Sequence, residues 1–570
     1  LGHEVTFDRE PKWNDLTQSH LWRYHLHYFN YVQELLVWGA DKDRPAAYET
    51  FKRLARSWIE GNATITGDGW HSYTLSLRIV NWIHACAFFR EELQADPDTR
   101  ELLLGSIFGQ AQILFRDLEL DVRGNHLIEN LRALIWAGLA FDGKEPRRWL
   151  EVGLRLLAVE VGEQVLDDGG HFERSPGYHL VVFKDLLEIA LWLRRNDYAA
   201  RQWLDNALRL MHQYLWTILA PDGNVPLLKD TAWDAAPKPY DLLAAAAVYF
   251  EEPAYKYAEQ FGLYPWLLFG GGGWNKFKDW RLNDSSREST ALPASGHYTM
   301  RDERRGNHLI LDAGKPCPDY LPAHAHADLL TYELSVKGQR VVVDSGIYEY
   351  QAGAWRDFFR STRAHNTVAV GGENQSEVWS SFRVGRRARP GPVQWQSNED
   401  YVLVQAEHDG YARLKVPVIH QRTIVGRTEQ FWLIVDQLWG TGVTSFASYV
   451  HLHPDFSFTA AAAKTWQIQQ TRAPLWLKTF GVGEPSIVTG ETEPERQGWY
   501  SERFGELRPR SVLTLRYQGS LPICCGYVIA LEPPAELQVN PAASGHEVNL
   551  NLGGRSYRVS LKRSQPPKFE

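Results

Sequence analysis

Residues 330–346 read LTYELSVKGQRVVVDSG. Tyr332, Leu334 and Val336 alternate with polar residues, Lys337-Gly338 supplies a turn, and Val341 and Val343 lead back. That is the period of a β-hairpin. A different period governs residues 149–166, WLEVGLRLLAVEVGEQVL. There Leu150, Leu154, Leu157 and Val161 recur at the spacing of one helix face. The change from the second period to the first decides the fold class.

Working outward, helical patterns recur near 20–38, 46–60, 72–92, 98–117, 126–141, 180–195, 199–219 and 239–260. With 149–166 they predict about nine or ten helices joined by short loops. Helix pairs without a fixed repeat favour a closed (α/α) toroid over a simple solenoid. The stretch FGGGGWNKF (269–277) reads as a break, because glycine is a poor helix former. Beyond it, QRTIVGRTEQFWLIVDQ (421–437) and HEVNLNLGGRSYRVSLKR (546–563) repeat the hairpin pattern. The predicted architecture is α+β and multidomain. It has a helical toroid over 1–268, a Gly-rich linker over 269–290 and an antiparallel β-sandwich over 291–570.

A chain of 570 residues exceeds one ordinary core, and its 44% hydrophobic and 23% charged residues place it among globular proteins. A net charge of −8 gives no global pull toward nucleic acid or anionic membranes, so a polyanion must meet a locally basic cleft. The aromatic share of 13% belongs mostly to packing, with a lean toward sugar rings that stack on aromatic faces. Four cysteines without ligand spacing give neither a disulfide framework nor a zinc ribbon. The longest aliphatic run, LLAAAAVYF (242–250), falls short of the roughly 20 residues of a membrane span. The chain starts at Leu1 rather than Met and reads as trimmed, which favours a periplasmic or secreted location in a bacterium; an oligomer is compatible with everything above.

Several stretches carry chemistry. In RGNHLIEN (123–130), Asn125 and His126 open a helix with Glu129 one turn on. The alternative is a helix cap beside a packed polar residue. In DDGGHFERSPGYHLVV (167–182), a shaped loop ends at Tyr178, which is either a site residue or a buried anchor. Asp167 and Asp168, with Asp230 further on, are candidates for a glycoside hydrolase carboxylate pair. In YLPAHAHADLL (320–330), His324 and His326 stand two apart, either in a surface loop or as a catalytic imidazole beside a metal-binding one. Asp344 and His365 supply further donors suited to zinc, with His451 and His453 as rivals. Arg78, Trp82 and Arg363 are candidate cleft residues, since arginine grips carboxylate or sulfate in a bidentate way. Their plainer reading is a salt bridge and a core tryptophan.

In order along the chain, GNHLIE, ERSPGYH, LPAHAHAD, VVVDSG and RAHNTV resemble the heparinase II/III-like polysaccharide lyases. The resemblance implies an incomplete (α/α) toroid followed by antiparallel sheets. It implies cleavage of a uronic-acid-containing polysaccharide, a glycosaminoglycan or a bacterial exopolysaccharide, by β-elimination. By the same resemblance Asn125 and His126 face the substrate carboxylate, and Tyr178 and His324 are catalytic. Glu129 lies near the site, and His326, Asp344 and His365 hold one structural divalent metal, zinc by the family pattern. Two departures stand out. The gap from Asp344 to His365 is short for a heparinase II-like member. The segment SHLWRYHLHYF (19–29) is similar to members associated with bacterial exopolysaccharides. Two other function classes compete: a glycoside hydrolase on an (α/α) toroid, and a non-catalytic protein that binds a polyanionic polysaccharide.

Overall fold

The hairpin that decides the fold class forms as its sequence requires. Tyr332–Val336 pairs antiparallel with Gln339–Val342, and Lys337 and Gly338 turn with φ of 52° and 77°. Two positive φ values give the turn twist that matches paired strands. The structure, a computed structural model, describes residues 4–7, 10–199, 201–542, 545–563 and 565–570.

The chain forms two compact units. One takes the chain to Val165, then Leu180–His212 and Tyr240–Asn283; the other takes Leu166–His179, Gln213–Pro239 and Asp284 onward. The units do not follow the change of period. The loop that ends at Tyr178 and the segment carrying Asp230 cluster with the strands, although both lie within the helical half of the sequence.

Among the described residues, twelve α-helices precede the first strand, and none is long and apolar enough to cross a membrane. Their starts are written locally. Asp43 and Asp96 accept hydrogen bonds from Ala46 N and Thr99 N, each just ahead of a proline in the first turn. Helix Lys144–Gln164 buries Leu150, Leu154, Leu157 and Val161, the face read from its spacing. The pattern at 20–38 divides into His20–Tyr28 and Tyr31–Asp41. Phe29 adopts φ 61° there and stacks its buried ring on Trp13 at 5.4 Å. The glycine run is also not the break its composition predicts. Leu263–Asp279 is helical on both sides of Gly270, whose φ of 57° makes a kink. Packing overrides propensity: Phe277 is buried against Phe261 and the helix Pro239–Phe250.

The core of the helical unit is aromatic, with Trp58, Trp82, Trp136 and Trp149 all buried. Two expected cleft residues belong to it. Trp82 meets Phe29 and Trp58 edge-on at 5.3 and 5.6 Å. Arg78 donates to Gln110 Oε1, Gly69 O and His27 O and lies 3.7 Å over the Trp58 ring. Both are fully buried and have no surface to offer a substrate.

The other unit is antiparallel throughout its named sheets. A five-stranded meander runs from Thr290–Leu292 to Gln339–Val342. An eight-stranded sheet has the hairpin Val418–Arg427 and Phe431–Gly440 near its centre. Met300, Leu309 and Leu334 of the first pack with Val404, Ile424, Trp432 and Ile529 of the second in one core. A four-stranded sheet closes the chain, and its strands Gly545–Leu552 and Arg555–Lys562 turn at Gly553-Gly554, φ 57° and 74°.

Trp82→Ala is expected to cost about 3–5 kcal/mol, the usual penalty for emptying a large buried aromatic site. Urea unfolding followed by the helical circular dichroism signal measures it, and an unmoved midpoint contradicts the core assignment.

Candidate active site

Asp230 is the hub of the sheet unit. It is fully buried, and burial opposes its charge. Arg356 answers with two parallel hydrogen bonds, Nη1 to Oδ1 at 2.5 Å and Nη2 to Oδ2 at 2.8 Å. His324 Nδ1–H donates to Oδ2 at 2.9 Å, and His326 Nε2–H donates to Oδ1 at 2.8 Å. Together these hold the Asp230 carboxyl well below the usual carboxylate range. One carboxylate thus fixes both histidines of the HAH motif.

With Nδ1 committed, His324 carries its other nitrogen toward Glu173, 3.6 Å from Oε2. Tyr178, half-buried at the start of helix Pro176–Arg195, stacks on the His324 ring with centroids 3.7 Å apart and planes 24° apart. Its hydroxyl shares a 2.8 Å hydrogen bond with Tyr350. Burial, with the Asp230 charge added, pushes the Tyr350 phenol up. A phenol and an imidazole in contact, with the imidazole anchored from behind, can pass a proton to or from a bound molecule.

His326 and His365 share a second pattern. Burial pushes His326 down to about 3, against the opposing pull of Asp230, so the ring is neutral near pH 7. Its Nδ1 is buried with no hydrogen-bond partner. His365 Nδ1–H donates to Asp344 at 2.8 Å, and its Nε2 is likewise buried without a partner. Burial pulls His365 down, but the Asp344 charge and hydrogen bond outweigh it and raise its pKa. The two rings lie 5.3 Å apart. A histidine that donates one N–H to a carboxylate and keeps its other nitrogen bare is built as a metal-ligating histidine is. These residues therefore fit a cation in their two imidazoles. Asp344, expected as the third ligand, stands behind His365 as its hydrogen-bond partner instead. Among the described residues no three His, Cys, Asp or Glu groups are arranged together as ligands. The rival His451 has both ring nitrogens engaged, with Asn366 Oδ1 and Arg363 O; His453 reaches Asp455.

In the helical unit, Asn125 and His126 lie in the first turn of helix Gly124–Ala140, where free backbone N–H groups and the helix dipole favour an anion. His126 Nδ1–H donates to Glu119 Oε1 at 2.8 Å and its ring stacks on Tyr73 at 4.3 Å. Burial works against the Glu119 charge, and the hydrogen bonds from His126 and Asn130 hold its carboxyl below its usual range. Asn125 is 4% exposed, and among the described residues its side chain makes no protein hydrogen bond. Glu129 differs from expectation. It is buried on Arg132, in a cluster with Asp185, Glu188 and Lys184, so its carboxylate is spent on the core. Arg363 differs too: it pairs with exposed Glu495 at 3.4 Å and covers the Phe358 ring.

The hydrolase candidates are occupied or exposed. Asp168 accepts from Ser295 N and Oγ at 2.7 and 2.6 Å, Asp230 is paired as above, and Asp167 is exposed. The roles of Glu119, Glu173, Tyr350 and Arg356 have no local signature in the sequence. Each depends on a partner that only the fold brings near.

Two profiles of one family match the chain: "Heparinase II/III N-terminus" over residues 3–257 and "Heparinase II/III-like, C-terminal" over 284–548. A heparin-sulfate lyase of Pedobacter heparinus is 24% identical over 480 residues, which cover 80% of this chain. The match spans 64% of that relative's length. FtsZ-localized protein C of Caulobacter vibrioides is 23% identical over 459 residues, 75% of this chain and 69% of the relative. Among solved structures, heparinase III superposes with a TM-score of 0.76 at 18% identity, covering 99% of this chain and 86% of that one. The helical half followed by antiparallel sheets is thus a fold shared with heparinase III.

Proposed function

The chain belongs to the heparinase II/III-like family, and from that premise we propose that it is a polysaccharide lyase. In this reading it cleaves a uronic-acid-containing polysaccharide by β-elimination. The observation that carries it is the Tyr178–His324 contact at 3.7 Å, with His324 anchored by Asp230. The heparin-sulfate lyase among its relatives supports the class of reaction.

The chemistry sets the requirements. A base takes the proton on C5 of the uronate, the C5–H electron pair becomes the C4–C5 double bond, and the C4–O bond breaks. The leaving oxygen takes a proton, and no water is consumed. The C5 proton is weakly acidic because the neighbouring carboxylate is already negative. Neutralising that carboxylate comes first, and we assign this to Asn125 and His126. The Asn125 amide, which makes no protein hydrogen bond among the described residues, and the second ring nitrogen of His126, whose Nδ1 is taken by Glu119, are donors suited to it. Tyr178 is assigned as the proton donor to the leaving oxygen. His324, whose Nδ1–H is tied to Asp230, keeps Nε2 for proton transfer with Tyr178 or the substrate.

We further propose that His326 Nδ1 and His365 Nε2 hold one structural divalent cation, with zinc favoured by imidazole donors. Bound there, the ion would lock His326, and through the backbone the loop that carries His324. Asp344 and Asp230 act as the carboxylates behind the two rings.

Incubation with heparan sulfate, hyaluronan, chondroitin, alginate and bacterial exopolysaccharides is expected to give unsaturated ends, seen as ultraviolet absorbance, from at least one of them. Tyr178→Phe is expected to lose about 10²-fold or more in kcat with an unchanged circular dichroism spectrum, within the range of one acid/base group. Turnover like wild type in that variant removes Tyr178 from the mechanism. For the cation, elemental analysis is expected to find about one zinc per chain, and chelation to lower Tm. A metal-free chain whose Tm ignores both chelator and added zinc contradicts the site.

A further inference from the structure

The segment SEVWSSFRVGRRARP (376–390) is absorbed by none of the chemistry above. It forms a short hairpin, Val378–Trp379 against Arg383–Val384, with Ser380 at φ 55° in the turn. Trp379 is 58% exposed and Phe382 40% exposed, large apolar rings left to solvent. Arg383, Arg386 and Arg389 are exposed, and among the described residues none of them has an acidic side chain within ion-pair distance. Glu377, the acidic residue of the segment, lies 3.6 Å from Arg413 and accepts a hydrogen bond from Arg386 N. In a protein of net charge −8, this is a local patch of cations and bare aromatic faces.

Two buried arginines tie the patch to the Asp230 hub. Arg356, bonded to Asp230 through both Nη groups, donates its Nε–H to Ser381 O at 2.8 Å. Arg360, one turn on in helix Ala354–Arg360, donates to Ser380 O at 2.8 Å and to Ala325 O at 3.0 Å. Ala325 is the residue between His324 and His326. The Phe382 ring stands edge-on to His324 at 6.3 Å and 5.4 Å from the Tyr350 ring. The hairpin is therefore held by the same buried charges that fix His324, and its aromatic tip borders the Tyr178–His324 pair.

We propose that the 376–389 hairpin is a sugar-binding subsite. Phe382 and Trp379 stack on pyranose faces, and Arg383 and Arg386 pair with carboxylate or sulfate groups of an acidic polysaccharide beside the cleaved linkage. The identity of this occupant rests on the lyase reading above. The ring faces suit the C–H face of a sugar, the guanidinium groups suit its anions, and the tip is contiguous with the reacting residues. The Arg356 and Arg360 bridges are positioning contacts: they keep the subsite rigid and so lower the entropy lost on binding.

The test is affinity, separated from turnover by using the Tyr178→Phe chain as parent and heparan sulfate and alginate oligosaccharides as probes, with dextran as the neutral control. Phe382→Ala and Trp379→Ala, each added to the parent, are expected to raise Kd about tenfold with an unchanged Tm. Arg383→Ser with Arg386→Ser is expected to weaken binding and flatten its dependence on salt. Unchanged Kd in both aromatic variants overturns the subsite, as does a parent that binds neither acidic probe. So does a shift in oligomeric mass by light scattering in place of a shift in affinity, which makes the hairpin a contact between copies. Hairpin-dependent binding by a wild-type chain that releases no unsaturated ends from any polymer leaves the subsite standing and removes the lyase reading.

Discussion

A single buried carboxylate organises the chemistry of the sheet unit. Asp230 receives four N–H groups, from His324, His326 and both Nη atoms of Arg356. A lone carboxylate at this depth would be protonated or would draw in water, because its desolvation far exceeds what one neutral hydrogen bond returns. Arg356 makes the charge tolerable, and the charge in turn orients two imidazoles. The preceding residue follows the same logic: Lys229, also fully buried, reaches Asp312 at 2.5 Å and Asp328 at 3.2 Å. Two adjacent residues of opposite charge thus tie a segment from the helical half of the sequence into the strands. This is a physical reason why Gln213–Pro239 clusters with the sheet unit.

The same support recurs at four histidines. His324 and His326 share Asp230, His365 has Asp344, and His126 has Glu119. In each pair one ring nitrogen is spent on a carboxylate, which fixes both the tautomer and the direction of the other nitrogen. The bare nitrogens of His326 and His365 are buried, whereas the His126 side chain is 31% exposed. One residue type with one kind of support thus stands in two environments, sealed from solvent in one and open to it in the other.

What could be read in the sequence was what depends on neighbours along the chain. The 330–346 turn, the Gly553-Gly554 turn and the buried face of Lys144–Gln164 follow from local rules of φ and period. The ordered motifs brought Tyr178 and His324 forward, and the fold stacks them. Contacts between distant residues were not legible. Asp230 and Arg356 are 126 positions apart, and Asp230 stood out only as a possible hydrolase carboxylate. The family resemblance puts Glu129 near the site, and the bidentate grip of arginine makes Arg78 a cleft candidate, yet both side chains are engaged inside the helical core. The glycine run misled for the converse reason, since Phe277 packing is invisible to propensity. The aromatic share was weak evidence about ligands: Trp58, Trp82, Trp136 and Trp149 are core, and only placement distinguishes Trp379 and Phe382 from them.

Asp230 holds the His324 ring, proton on Nδ1, against Tyr178. Nitrogen-15 NMR of histidine-labelled protein near pH 7 tests this directly, with the His324 signals assigned by their loss in His324→Gln. The expected spectrum has a proton-bearing Nδ1 whose proton resonance moves upfield in Asp230→Asn, as its hydrogen bond to the carboxylate is lost. A bare Nδ1 with its proton on Nε2, or His324 signals indifferent to Asp230→Asn, would contradict the account.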